Sequence, residues 1–178
     1  FSCKRRALCP SCGHRRMHDV AAHLVDSVLP EVPYRQFVIT VPKWLRIHLA
    51  TDHALNDRVV RIAVREIHRW QRRRARALGY REVRPAAIAF LQRFGSALQL
   101  NPHGHLLIPE GVFAPRFSNA PDDPPGFIAI APPSDEEVAT ILRAIVRKVL
   151  ALAEKLGLRD RPLTDEALAL GSTIALPI

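Results

Sequence analysis

Residues 98–113, LQLNPHGHLLIPEGVF, constrain the fold more than any other stretch of this chain. Two histidines, His103 and His105, stand one residue apart, ahead of a short apolar run that closes on Glu110-Gly111. An apolar run of this length bounded by turn residues reads as a strand with a turn after it. Side chains of an extended chain alternate between faces, so His103 and His105 project together. Two imidazoles on one face lie within reach of a single ion or a single phosphate.

The flanking segments supply partners for that strand. YRQFVITVPKW reads as a strand over residues 37–41, stopped by Pro42, which cannot donate to a ladder. PAAIAFLQRF is a second strand, the histidine segment a third, and PEGVF a turn into a fourth. Helical spacing appears over residues 17–29, where Ala21, Leu24, Val25, Val28 and Leu29 precede Pro30. A longer helix, capped by Thr51 or Asn56, runs to about Leu78 and stops at Gly79. Leu55, Val59, Ala63, Ile67 and Trp70 form its apolar stripe. Ser134 and Glu137 make a capping box for a helix over residues 135–156, ended by Gly157. Residues 119–125, NAPDDPP, read as a loop, and Thr164 opens a short last helix. The expected class is α+β: a mainly antiparallel sheet with helices packed on it.

Charge points to the partner. The 178 residues hold 26 Lys and Arg against 17 Asp and Glu, a net +9. That balance suits a polyanion, most often nucleic acid. On the long helix, Arg58, Arg61, Arg65, Arg69, Arg72 and Arg76 repeat at three- and four-residue spacing away from the apolar stripe. Solvated helix faces usually mix signs, yet Glu66 is the only acid between Arg58 and Arg76. Arginine forks match phosphate oxygens, so the row reads as a phosphate-contacting face. No apolar run reaches the roughly 18–20 residues that cross a bilayer, so no membrane partner is expected.

All three cysteines, Cys3, Cys9 and Cys12, fall in the first twelve residues beside lysine and arginine. An odd, clustered set reads as metal binding in a reducing compartment, which makes the expected location cytoplasmic. Cys9-Pro-Ser-Cys12 has the spacing of half a zinc site, with Cys3, His14 and His18 as further candidates. A redox pair is the rival reading, but it normally follows a strand-turn-helix pattern that is missing here. The chain begins at Phe1 rather than Met, so a preceding piece is expected to be absent.

Two neutral imidazoles on one strand face can ligate a divalent cation, with a third ligand from a neighbouring element. An isolated His-x-His is more often a pair of ordinary histidines. The strand context, the adjacent basic helix and Gln92 on the preceding strand favour the metal reading.

QRFGSALQLNPHGHLLIPEGVF, FSCKRRALCPSCGHRRM, HLVDSVLPEVPYRQFVITVPKWLR and RWQRRRARALGY occur in the order found in one family. Over residues 1–113 the chain resembles the transposases of rolling-circle insertion sequences, members of the HUH single-strand endonuclease group with an N-terminal zinc-binding region. The resemblance implies Mg²⁺ or Mn²⁺ at His103 and His105, Zn²⁺ at Cys9 and Cys12, and single-stranded DNA of the element ends as substrate. It implies tyrosine attack on a phosphodiester to give a 5′-phosphotyrosine link, the chemistry of DNA transposition. Where the family has a bulky apolar residue between the histidines, this chain has Gly104. The family's tyrosine nucleophiles lie well downstream of the histidines, and this chain has none after Tyr80. Tyr34 and Tyr80 read as packing residues, so no catalytic residue is assigned.

The expected organisation is a partial zinc region with a connecting helix over 1–29, a transposase core over 30–116, and a helical extension over 117–178, truncated at both ends. The resemblance makes the chain a DNA-binding transposase fragment without its nucleophile. The alternative is a non-enzymatic, basic, zinc-containing nucleic-acid module in which the histidines are incidental. A metal hydrolase using Glu110 fits less well, because a turn residue faces away from the histidines.

Overall fold

A computed structural model describes residues 10–95, 99–115 and 126–158, with the backbone path alone for 10–14. It divides into two compact units, residues 1–32 and 33–178.

In the first unit, helix α1 (Pro10–His23) continues into a single π-helical turn over Leu24–Val28. The helix starts seven residues before the apolar spacing predicts. Met17, Val20, Val25 and Val28 are exposed.

The second unit is built around a three-stranded antiparallel sheet. Strand β1 (Tyr34–Thr40) and strand β2 (Ile88–Phe94) flank a central β3 (Leu100–Pro109). Burial along β3 alternates. Pro102, Gly104, Leu106 and Ile108 are buried, whereas Asn101, His103, His105 and Leu107 are half-exposed. Each fully buried aliphatic side chain on such a strand contributes about 1.5–3 kcal/mol, and a slip of one residue would turn all of them to water. Register is thereby fixed.

Helix α2 (Lys43–Thr51) follows Pro42 and buries Leu45 and Leu49. It was not evident from the sequence, and it changes the next cap. Neither Thr51 nor Asn56 caps the long helix α3 (His53–Ala77). Asp52 does, its carboxylate accepting from Leu55 N at 2.9 Å. Asp52 alone separates the two helices, and Thr51 instead donates to Ile47 O within α2. The predicted stripe of α3 is confirmed: Leu55, Val59, Ala63, Ile67 and Trp70 are all buried.

Beyond β3, strand β4 (Gly111–Ala114) does not extend the main sheet but pairs with β5 (Gly126–Ala129) as a separate two-stranded ribbon. Gly111 permits that pairing, since a Cβ there would lie 2.2 Å from Ile128 O. Helix α4 (Asp135–Lys155) carries the predicted capping box between Ser134 and Glu137. It packs against α3 through Ile141, Ile145, Val149 and Ala153, which join one core with Leu106 and Ile108. Gly79 and Gly157, with φ of +92° and +62°, stop α3 and α4 where expected. The loop over 119–125 and the helix expected from Thr164 lie outside the described residues.

Candidate metal centre and nucleic-acid face

The register across the sheet determines which side chains surround the histidines. Residues directly opposite each other in an antiparallel ladder point to the same face. His103 lies between Thr40 on β1 and Gln92 on β2, and His105 between Val38 and Phe90. Gln92 is therefore the immediate neighbour of His103 on the histidine face. Val38 and Phe90 are about half-exposed, so the floor around His105 is apolar and open. Gly104 points to the other side, where a Cβ would meet Val60 and Leu91 at 3.6 and 3.7 Å. Those two side chains occupy the space a bulky residue would take.

The imidazole centroids are 4.9 Å apart with their planes at 64°. His103 Nδ1 lies 2.6 Å from the carbonyl oxygen of Asn101. A carbonyl only accepts, so Nδ1 carries the proton and Nε2 presents a lone pair. His105 Nδ1 is hydrogen-bonded to the side-chain amide of Gln36. His105 Nε2 is buried with no hydrogen-bond partner. A buried polar atom without a partner costs about 1–3 kcal/mol, so one on a candidate ligand points to an absent partner.

Among the described residues no group of three or more His, Cys, Asp or Glu comes together. The donor set at the histidines is thus two imidazoles and an amide, all neutral. Glu110 is on a different face, bound to Arg35 at 2.6 Å. The structure thereby agrees with setting Glu110 apart from the histidines.

Neither tyrosine approaches the pair. Tyr34 is opposite Pro109, four residues beyond His105, or about 13 Å along the strand. Burial also raises its pKa, which disfavours a phenolate. Tyr80 follows the C-terminal end of α3, whereas Gly104 packs near Val60 toward that helix's N-terminal half.

The arginine row forms a second surface. Arg58, Arg61, Arg65, Arg69, Arg72 and Arg76 are all exposed. They occupy the stripe of α3 opposite Val59, Ala63, Ile67 and Trp70, which face the core. Since α3 covers the buried face of β3, the arginines and the histidines point to opposite sides of the sheet. The basic helix is adjacent to the histidine strand only through its apolar side.

The six arginines are not equivalent. Arg69 binds the buried carboxylate of Glu66, which also receives Lys148 from α4, each at 2.5 Å. Burial pushes the Glu66 pKa up, but hydrogen bonds from Lys148 and Arg69 outweigh it and leave the carboxyl below its usual range. Arg61 turns back to donate to Asp57 O at 3.3 Å. Arg58, Arg65, Arg72 and Arg76 have no carboxylate partner among the described residues. Sequence spacing alone marked all six alike.

Of the zinc candidates, Cys3 and Cys9 lie outside the described residues. Cys12 and His14 fall within α1, and His18 lies one turn further along it.

Two family models match the chain. Residues 1–41 match a transposase zinc-binding domain, and residues 86–169 match a transposase family, Y2_Tnp. The histidine strand lies within the second match, and the arginine row falls between the two. No curated protein and no solved structure matches. Among the described residues, no helix is long and apolar enough to cross a membrane.

Proposed function

Because the chain belongs to the insertion-sequence transposases, we propose that its sheet presents a divalent cation, Mg²⁺ or Mn²⁺, to a phosphodiester of single-stranded DNA at the element ends. The ligands are His103 and His105, with the Gln92 amide oxygen as the third. The observation that carries this reading is the pair of imidazoles on one face of the central strand. Both Nδ1 atoms are engaged, and His105 Nε2 is buried without a partner. A cation held there supplies Lewis-acid polarisation of a phosphoryl oxygen.

The chain's own groups do the rest. Asn101 O holds the His103 ring in the tautomer whose Nε2 accepts. Val38 and Phe90 flank His105 with open apolar surface that offers no competing ligand. Imidazole-rich donor sets suit Mn²⁺ better than Mg²⁺, which prefers oxygen. With no carboxylate among the ligands, the charge of the cation is left for a DNA phosphate to balance, so cation and DNA binding reinforce each other.

Arg58, Arg65, Arg72 and Arg76 hold the nucleic-acid backbone on the opposite side of the fold. Zinc is assigned to Cys9 and Cys12, with Cys3 and His14 completing the set.

Neither Tyr34 nor Tyr80 stands near the histidines, and the proposal is therefore for cation and DNA binding without a tyrosine nucleophile from these residues. The test combines Mn²⁺ titration with incubation on a single-stranded hairpin followed by denaturing gel analysis. The expected result is His103- and His105-dependent Mn²⁺ binding without a covalent protein–DNA adduct. An adduct formed by this chain alone would overturn the assignment of the tyrosines. Mn²⁺ binding that survives His103→Ala/His105→Ala would overturn the site.

A further inference from the structure

The face of the sheet turned away from α3 carries an aromatic ring that the core does not use. Val38, His105 and Phe90 form one row across β1, β3 and β2. Phe90 remains 41% exposed and Val38 52% exposed. Their neighbours along the strands turn the other way. Phe37 and Ile39 pack against the core, and Leu91 lies 3.7 Å from where a Cβ on Gly104 would be.

Isolated exposed apolar side chains are ordinary and call for no partner. Phe90 differs in its place. Directly opposed side chains in an antiparallel pair have Cβ atoms about 5 Å apart, so the phenyl ring adjoins His105. His103 and Gln92 form the next row. A DNA strand that brings a phosphate to the histidines brings the adjoining base within reach of Phe90. In a duplex the faces of that base are covered by the bases above and below, and only an unpaired base can lay a face on a side-chain ring. The arginines of α3 make no such distinction, because duplex and single strand both carry phosphates.

We propose that Phe90 is a platform on which an unpaired base of DNA stacks, and that this contact makes the protein favour single-stranded over duplex DNA. The proposal rests on the reading that the histidine face meets single-stranded DNA, and it names the group that selects the strand; it needs no cation. Every base has a face to offer, so the contact is indifferent to sequence. Stacking on an uncharged ring adds affinity without adding salt dependence, the reverse of the arginines' signature.

The experiment is fluorescence anisotropy in metal-free buffer with wild type, Phe90→Ala, Phe90→Leu and Phe90→Trp. Three labelled probes of equal length are used: an oligothymidine, a sugar–phosphate strand lacking its bases, and a duplex. Phe90→Ala and Phe90→Leu should bind the oligothymidine about tenfold more weakly than wild type, with the salt slope unchanged. Leucine keeps apolar bulk, so its loss separates stacking from mere contact. Phe90→Trp should bind at least as tightly as wild type. The base-free strand and the duplex should each bind all four proteins alike, which also shows that the variants are folded. Wild-type affinity of Phe90→Ala or Phe90→Leu for the oligothymidine would overturn the proposal, and so would an equal loss on all three probes. A wild type that binds duplex and oligothymidine equally would defeat the single-strand reading and Phe90 with it. A single-strand preference that persists in Phe90→Ala would defeat Phe90 alone.

Discussion

The histidine face of β3 and the arginine face of α3 are built on opposite principles. At the histidines, side chains are held in a fixed ladder, each ring engaged by one hydrogen bond, with polar Thr40 and Gln92 beside His103 and apolar Val38 and Phe90 beside His105. At the arginines, exposed cations stand on a helix whose other side is mainly apolar, with Asn56, Glu66 and Gln71 buried among the apolar residues. The first surface acts through short-range, directional contacts and depends on register. The second acts through a field that extends about 10 Å at 0.1 M salt and tolerates rearrangement. Two surfaces facing away from each other can be disabled one at a time.

The largest separation should come from the histidines. His103→Ala/His105→Ala is expected to abolish measurable Mn²⁺ binding while single-strand affinity in metal-free buffer stays within about twofold, since the change leaves the arginines proposed to contact phosphate untouched. Fluorescence anisotropy with a labelled oligonucleotide checks the second half. Loss of DNA affinity in metal-free buffer would mean the two faces are not separate.

The converse change is Arg58→Gln/Arg65→Gln/Arg72→Gln. Each lost phosphate contact lowers the slope of log K against log salt by roughly 0.7 for single strands, so the triple change should reduce it by about 2. Mn²⁺ affinity without DNA should not change. Arg69→Gln should alter the slope least, because that guanidinium is already bound to Glu66.

Glu66 tests the scaffold between the faces. Its folded pKa is lowered, so its contribution is fully present above the unfolded value near 4.5 and is lost as pH falls through the lower folded value. Glu66→Gln should cost about 1 kcal/mol at neutral pH, discounted because Arg69 and Lys148 are both more than a third exposed. Thermal melts at pH 7 and pH 3 should show that difference shrink at the lower pH. A constant difference would mean that charge plays no part. Asp52→Ala, which removes the cap of α3, should cost about 1 kcal/mol at pH 7.

Much of the scaffold was legible because period and burial coincide. The α3 stripe, the strand alternation and the Ser134–Glu137 box are local patterns enforced by local chemistry. Helix α2 escaped notice because Pro42 reads as a stop, although Leu45 and Leu49 already had helical spacing. The cap followed the same error, since Asp52 becomes obvious only when a helix ends at Thr51. The histidine pair stands out in the sequence through its i, i+2 spacing and Gln92 through its polarity on the preceding strand. Its place opposite His103, however, depends on β3 lying between β1 and β2, which no local pattern encodes. Gln36 left no signal at all, because its contact crosses strands diagonally over a separation of 69 residues.

The central claim is that the histidine face holds a cation against a phosphate. Isothermal titration with Mn²⁺, with and without a saturating single-stranded oligonucleotide, tests it most directly. Since the ligands are neutral, the account predicts at least tenfold tighter Mn²⁺ binding to the DNA complex than to the free protein, and no such gain in His103→Ala/His105→Ala. Equal Mn²⁺ affinity with and without DNA, or a gain that persists in the double variant, would contradict it.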